Sequence, residues 1–161
     1  MSASTTTPGR GVQTARRIVA FASGKGGVGA SMIATNLGIF LAQIGKRVAL
    51  VDANLPDAGL HAWLGMQRPD HTISDVLSGR QQRIQAAMTE TPVTGLYLLA
   101  GSDDLIGPEL SEAGTAERLL AQMGNLESDF VLVDLPPGLT PLSLDLLAGA
   151  DVAVPDTAAT P

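Results

Sequence analysis

The chain has 161 residues, 45% of them hydrophobic, and ten Lys and Arg against sixteen Asp and Glu give a formal net charge of −6. That is enough apolar material for one core-forming domain, and too little positive charge for a stripe that displaces counterions from nucleic acid. With no cysteine and two histidines, His61 and His71, disulfides and thiolate metal sites are excluded and a cytoplasmic setting is expected.

Residues 1–16, rich in Ser, Thr, Gly and Pro, read as a disordered tail. The apolar run behind Arg16 and Arg17 is too short for a secretory core or a membrane span, so no membrane helix is expected. Short β-branched or aliphatic runs predict strands over 18–22, 47–52, 96–100, 130–134 and 152–154. Between the first two, Ile33, Leu37, Phe40, Leu41 and Ile44 recur at helical spacing, and Gly45 stands where a helix end takes a left-handed residue. They predict one amphipathic helix packed on a sheet. Thr72 with Asp75 predicts a capped helix opening ISDVL, and Ser111 with Glu112 a helix running to about Met123, weakened by Gly114. Alternating strands and helices make an α/β domain with a parallel sheet over 17–155, followed by a short tail over 156–161.

The first predicted strand runs into FASGKGGVGAS and then a helix. Gly24, Gly26, Gly27 and Gly29 let the backbone wrap so that successive N–H groups face an anion, and a nucleotide phosphate is the natural guest. A P-loop of the form G-x-x-x-x-G-K-[ST] is matched at Gly24, Gly29 and Ser31, but its lysine position holds Ala30. In FVLVDLPPG, Asp134 ends a strand where a carboxylate can hold magnesium through its waters, and Gly138 can offer an N–H to a terminal phosphate. Asp52 ends another strand, with Asn54 two residues on.

KGGVG followed by Ala30 and Ser31 resembles the deviant Walker A motif of the MinD/ParA family of P-loop ATPases. The likeness runs from about residue 18 to 154, through GKRVALVDANLPDAGLHAWLG and DFVLVDLPPG. It implies a parallel-sheet P-loop NTPase fold, C-terminally shortened, that takes ATP or ADP with Mg2+. The nucleotide site it implies is Gly24, Lys25, Gly26, Gly27, Val28, Gly29, Ala30, Ser31, Met32 and Gly138. The metal would be held by Ser31 and, through water, by Asp134 and Asp52. Lys25 would be the signature lysine that reaches phosphates across a nucleotide-sandwich dimer, and with Asp52 and Asn54 it makes up the catalytic set.

Three positions depart from that pattern. Ala30 offers no charged donor, which removes hydrogen bonds of about 1.5 to 3 kcal/mol and on the order of 10² to 10³ in rate. Asn54 replaces a carboxylate and cannot act as a general base; Asp57 is a poor substitute, because LPDAG is also ordinary turn chemistry. Met32 replaces a second hydroxyl and cannot donate to an α-phosphate.

The expectation is therefore a nucleotide-binding protein that hydrolyses slowly or not at all and acts in spatial regulation through protein partners. Those partners would include a second copy or an intact homologue, and nucleic acid is not expected among them. The loop style and TISDVLSG look closest to MinD and to the flagellar-number regulator FlhG, which points to division-site or flagellar placement. One rival is an active ATPase switch in which Lys25 takes over the missing lysine's role; another is an adaptor or truncated fragment without nucleotide. His61 and Trp63 read as an amphipathic turn over the sheet edge, and Asp103, Asp104 and Glu109 as a solvated loop. Relatives continue beyond the point where ADVAVPDTAATP ends, so the last strand is expected to leave an open edge that pairs with another chain.

Overall fold

In the computed structural model, residues 16–25, 29–102, 114–138 and 140–156 are described. Nearly all of the expected N-terminal tail, Gly26, Gly27 and Val28, the acidic loop, the helix start at Ser111 and Glu112, and residues 157–161 lie outside them.

The chain order is β1 (Arg17–Ser23), α1 (Ala30–Gln43), β2 (Val48–Asp52), a 3-10 turn (Leu55–Asp57), α2 (Leu60–Trp63), α3 (Ile73–Leu77) and α4 (Ile84–Ala87). It continues through β3 (Thr89–Glu90), β4 (Leu96–Leu99), α5 (Thr115–Met123), β5 (Phe130–Asp134), α6 (Pro141–Gly149) and β6 (Val152–Asp156). The strands form one six-stranded sheet in the order β3-β4-β2-β5-β1-β6. All pairings are parallel except that of β3 with β4. All five predicted strands are present, and β3 is an addition of two residues.

Strand alternation divides the core into two layers. Ala20, Val51, Leu99, Val131 and Val133 point to one face and pack with α3, α4, α5 and α6. Val19, Phe21, Leu50, Leu98 and Leu132 point to the other, beneath α1 and α2.

The predicted helix α1 does pack on the sheet, but only Leu37 and Leu41 of the stripe its spacing picked out reach the core, and those only partly buried. Its buried residues are Ala30, Ala34, Thr35, Gly38 and Ala42, whereas Ile33, Phe40 and Ile44 are exposed. Small residues at i, i+4, i+8 and i+12 let the helix axis approach the strands closely. A Cβ built on Gly38 would lie 3.3 Å from Leu96 Cδ1 and 3.5 Å from Leu132 Cδ1. Gly45 ends the helix with φ +83°, as expected.

The Thr72 capping box is present, with the Thr72 N–H donating to Asp75 Oδ2 at 2.9 Å. Helix α5 begins at Thr115, with Gly114 as its N-cap at φ +86°, so that glycine marks a boundary and does not weaken a helix interior. Helix α6 carries a second capping box, Thr140 with Ser143, around Pro141 in the first turn. Among the described residues no helix is long and apolar enough to cross a membrane.

Candidate functional site

Parallel strands deliver their carboxyl ends to one edge of the sheet, and here three of them converge. Asp134 at the end of β5 is in register with Asp52 of β2 on one side and with Phe21 of β1 on the other. Both carboxylates are buried, at 0% and 1% exposure. The Ala53 N–H donates to the Asp134 carbonyl at 2.9 Å, and the Leu135 N–H to the Phe21 carbonyl at 3.0 Å, which ties the three strand ends together.

Asp52 does more than end a strand. Its Oδ2 accepts from the Gly59 and Leu60 N–H groups, both at 3.1 Å, and its Oδ1 from the Asn54 N–H at 3.3 Å. One buried carboxylate thus holds the loop from β2 to α2. Burial raises its pKa from 3.8 to about 7; the Leu60 N–H opposes that, the charge on Asp134 adds to it, and the Asn54 and Gly59 N–H groups oppose it. Burial also lifts Asp134 from 3.8 to about 6, against a hydrogen bond from the Ser31 hydroxyl.

A pocket of about 340 Å3 opens over this edge, lined by Ser23, Gly29, Ala30, Ser31, Met32, Asn54, Asp57, Trp63, Leu135 and Pro137. Two buried oxygens at this edge, Asn54 Oδ1 and Asp134 Oδ1, have no hydrogen-bond partner. Buried unpaired acceptors are rare because each costs about 1 to 3 kcal/mol. Two raised carboxylate pKa values and an open lone pair beside the Ser31 hydroxyl suit a hard divalent cation, so the residues fit Mg2+.

The structure thus brings Gly29, Ala30, Ser31, Met32, Asp52, Asn54 and Asp134 to one strand edge. Ala30 is 6% exposed and presents a methyl group, while Met32 is 49% exposed at the rim. Gly24 and Lys25 are exposed at the end of β1. Gly138 has φ +86°, but its N–H donates to the Ser23 carbonyl at 3.0 Å; in this conformation it is not available to a phosphate as the sequence suggested. Trp63, placed by sequence over the sheet edge, lines the pocket while remaining 58% exposed. Sequence reasoning missed Gly101, where a Cβ would lie 2.6 Å from Ala58 Cβ and 3.0 Å from Asp52 Cγ. A glycine directly after a predicted strand was the available signal.

A larger cleft, about 720 Å3, lies at the opposite end of the strands, with Arg47, Arg83, Tyr97 and Glu127 among its lining residues. Among the described residues, none in its lining carries an unpaired buried polar atom, so chemistry and not volume selects the smaller pocket.

An AAA-domain family profile matches residues 16–158. The chromosome-partitioning ATPase Soj of Thermus thermophilus is 38% identical over 140 residues, covering 86% of this chain and 54% of that protein. The septum site-determining protein MinD of Pyrococcus horikoshii, solved as a complex with Mg-ADP, superposes with a TM-score of 0.76 at 27% identity, over 88% of this chain and 58% of that one. The MinC:MinD cell division complex of Aquifex aeolicus matches with a TM-score of 0.70 at 30% identity, over 86% of this chain and 55% of the matched one. The chain spans about half the length of the curated relatives it matches.

Proposed function

Because the chain belongs to the MinD/ParA family of P-loop ATPases, we propose that it binds ATP or ADP with Mg2+ weakly and is impaired in hydrolysis. One observation carries this reading. The Ser31 hydroxyl bonds the buried Asp134 carboxylate, in register with the buried Asp52, while the neighbouring residue 30 contributes only a methyl group, which supports a metal site without a charged partner at that position.

Mg2+, when bound, would supply positive charge against the phosphates. Ser31 would hold it directly, and Asp134 and Asp52 through its water ligands. The Gly29 turn and the N-terminus of α1 present backbone N–H groups to the phosphates. Asn54 can orient a water with its amide but cannot take a proton from it. Without a charged donor at residue 30, charge that develops during phosphoryl transfer meets no side-chain cation from that position.

A domain that holds nucleotide and turns it over slowly is suited to interaction. The role proposed is spatial regulation in the bacterial cytoplasm through protein partners, including a second copy or an intact homologue. A MinD is solved in complex with MinC, and the similarity to Soj adds chromosome partitioning to division-site placement. Flagellar placement rests on the loop style and the TISDVLSG segment alone. The net charge of −6 weighs against direct contact with nucleic acid.

Turnover of ATP by the native chain, Ala30→Lys, and Ala30→Lys with Asn54→Asp tests the reading. The native rate is expected at least about 10²-fold below that of the double variant. Native turnover equal to the double variant's, and abolished by Lys25→Ala, would establish the active switch instead.

A further inference from the structure

The cleft of about 720 Å3 at the other end of the strands takes no part in the phosphate site, and its walls are fixed to each other. One wall is the stretch from Gln82 to Met88, which includes α4; the other runs from Gln122, near the end of α5, to Ser128. The Ile84 N–H donates to Gln122 Oε1 at 2.8 Å, and Gln85 Nε2 donates to the Asn125 carbonyl at 3.1 Å. Tyr97 lines the cleft from β4, in register with Ala49, whose side chain packs on the face that α4 and α5 cover. A hollow of about 240 Å3, lined by Arg118 and Leu119 of α5, shares Gln82 and Gln122 with the cleft. A ligand meets a preformed trough and does not have to order it.

The trough reverses the sign of the chain. Against a net charge of −6, three of its four charged lining side chains among the described residues are arginines, Arg47, Arg83 and Arg118, and the fourth is Glu127. Arg118 is engaged with Thr115 Oγ1 at 3.3 Å. Arg47 meets Glu127 only at 3.6 Å, with both side chains mostly exposed, a pairing worth little in water. The nearby Asp129 carboxylate accepts the Arg47 backbone N–H at 2.8 Å. Arg83 forms no ion pair among the described residues. The forks of Arg47 and Arg83 can therefore turn to an incoming carboxylate, which arginine matches better than lysine does.

Amides between the charges sort the ligand further. The side chains of Gln81 and Gln82, Gln85 Oε1, Gln122 Nε2 and Asn125 Oδ1 make no hydrogen bond among the described residues. Together they offer both donors and acceptors, as a peptide backbone requires, whereas a bare anion calls for donors alone. Met88, Leu126 and Tyr97 add apolar surface for side chains. Arg16, which follows the N-terminal segment, donates from Nε to the Ser128 carbonyl at 3.3 Å beside the cleft. That segment is nevertheless a poor occupant, because residues 1–15 hold one Arg and no Asp or Glu.

We propose that this trough binds an extended acidic peptide segment of a partner protein, with its backbone on the amides and a Glu or Asp carboxylate on Arg83 and Arg47. The proposal does not rest on the nucleotide reading. The two sites lie at opposite ends of the strands, so both can be filled at once.

Fluorescence anisotropy of a short fluorescein-labelled peptide of alternating Glu and Thr, titrated with the 161-residue chain, tests it. Saturable binding is expected, at least about tenfold weaker for Arg83→Glu and for the same peptide with Gln in place of Glu. Arg83 is exposed, so the variant's circular dichroism and its Mg-ADP calorimetry should match those of the native chain. Absence of binding by the native chain, or equal binding by Arg83→Glu, would overturn the proposal. So would displacement of the labelled peptide by inorganic phosphate as readily as by unlabelled peptide, which marks a bare anion site. Peptide binding gained only on removal of residues 1–15 would assign the trough to the chain's own tail, and a native dimer dissolved by Arg83→Glu would assign it to a second copy; either result overturns the proposal.

Discussion

Raising the pH should destabilise the metal-free protein, because its fold encloses two carboxylates side by side. Asp52, with a pKa of 3.8 raised to about 7, binds its proton more tightly folded than unfolded. Its stabilising contribution is complete below about pH 4 and is lost as the pH rises through about 7. A shift of about three units corresponds to about 4 kcal/mol over the whole range, of which about 2 to 3 kcal/mol falls between pH 5 and pH 8. Asp134, lifted to about 6, acts in the same direction at slightly lower pH. Against a total stability of about 5 to 15 kcal/mol, this is a large fraction.

Urea unfolding at pH 5 and pH 8, with and without millimolar Mg2+, measures the effect. The apo protein should be weaker at pH 8, and Mg2+ should restore most of the difference there and little at pH 5. Asp52→Asn should flatten the profile. The amide oxygen can still accept the Gly59 and Leu60 N–H groups, while the NH2 loses only the longer Asn54 N–H contact at 3.3 Å, so the variant should exceed the native chain at pH 8 by about 1 to 3 kcal/mol. An apo protein as stable at pH 8 as at pH 5 would refute the reasoning.

Two further substitutions probe the supports of the site. Gly101→Ala forces a methyl group to within 2.6 Å of Ala58 Cβ and against Asp52; a loss of about 1 to 3 kcal/mol in urea unfolding is expected, together with weaker Mg-ADP binding. Thr140→Ala removes the oxygen that accepts the Ser143 N–H at 3.1 Å; it should lower stability by about 1 kcal/mol and leave nucleotide affinity unchanged.

The strands were legible because buried parallel strands need unbroken aliphatic runs, and FVLVD and RVALVD supply them. Strand β3 was not, since two residues paired antiparallel carry no periodicity of their own. Helix α1 shows where pattern reading stops. Its sequence holds two sets at helical spacing, Ala30, Ala34, Gly38 and Ala42, and Ile33, Leu37, Phe40 and Ile44. Size alone does not tell which set is buried. The small set is buried, because it allows backbone approach to Leu96 and Leu132, and of the large set only Leu37 is partly covered.

At the site, Gly29 with Ser31 and both strand-ending aspartates could be read from local context. The anchoring of Gly59 and Leu60 by Asp52, seven and eight residues away, could not, because it depends on how the loop folds back. The engagement of the Gly138 N–H by Ser23 was hidden for the same reason.

The central claim is that a live phosphate site has been weakened at residue 30. Calorimetric titration of the native chain and of Ala30→Lys with Mg-ADP tests it most directly. The account predicts measurable binding by the native chain and binding about tenfold or more tighter by Ala30→Lys, the equivalent of at least about 1.4 kcal/mol. Absence of binding by both proteins, or equal affinity in the two, would contradict it.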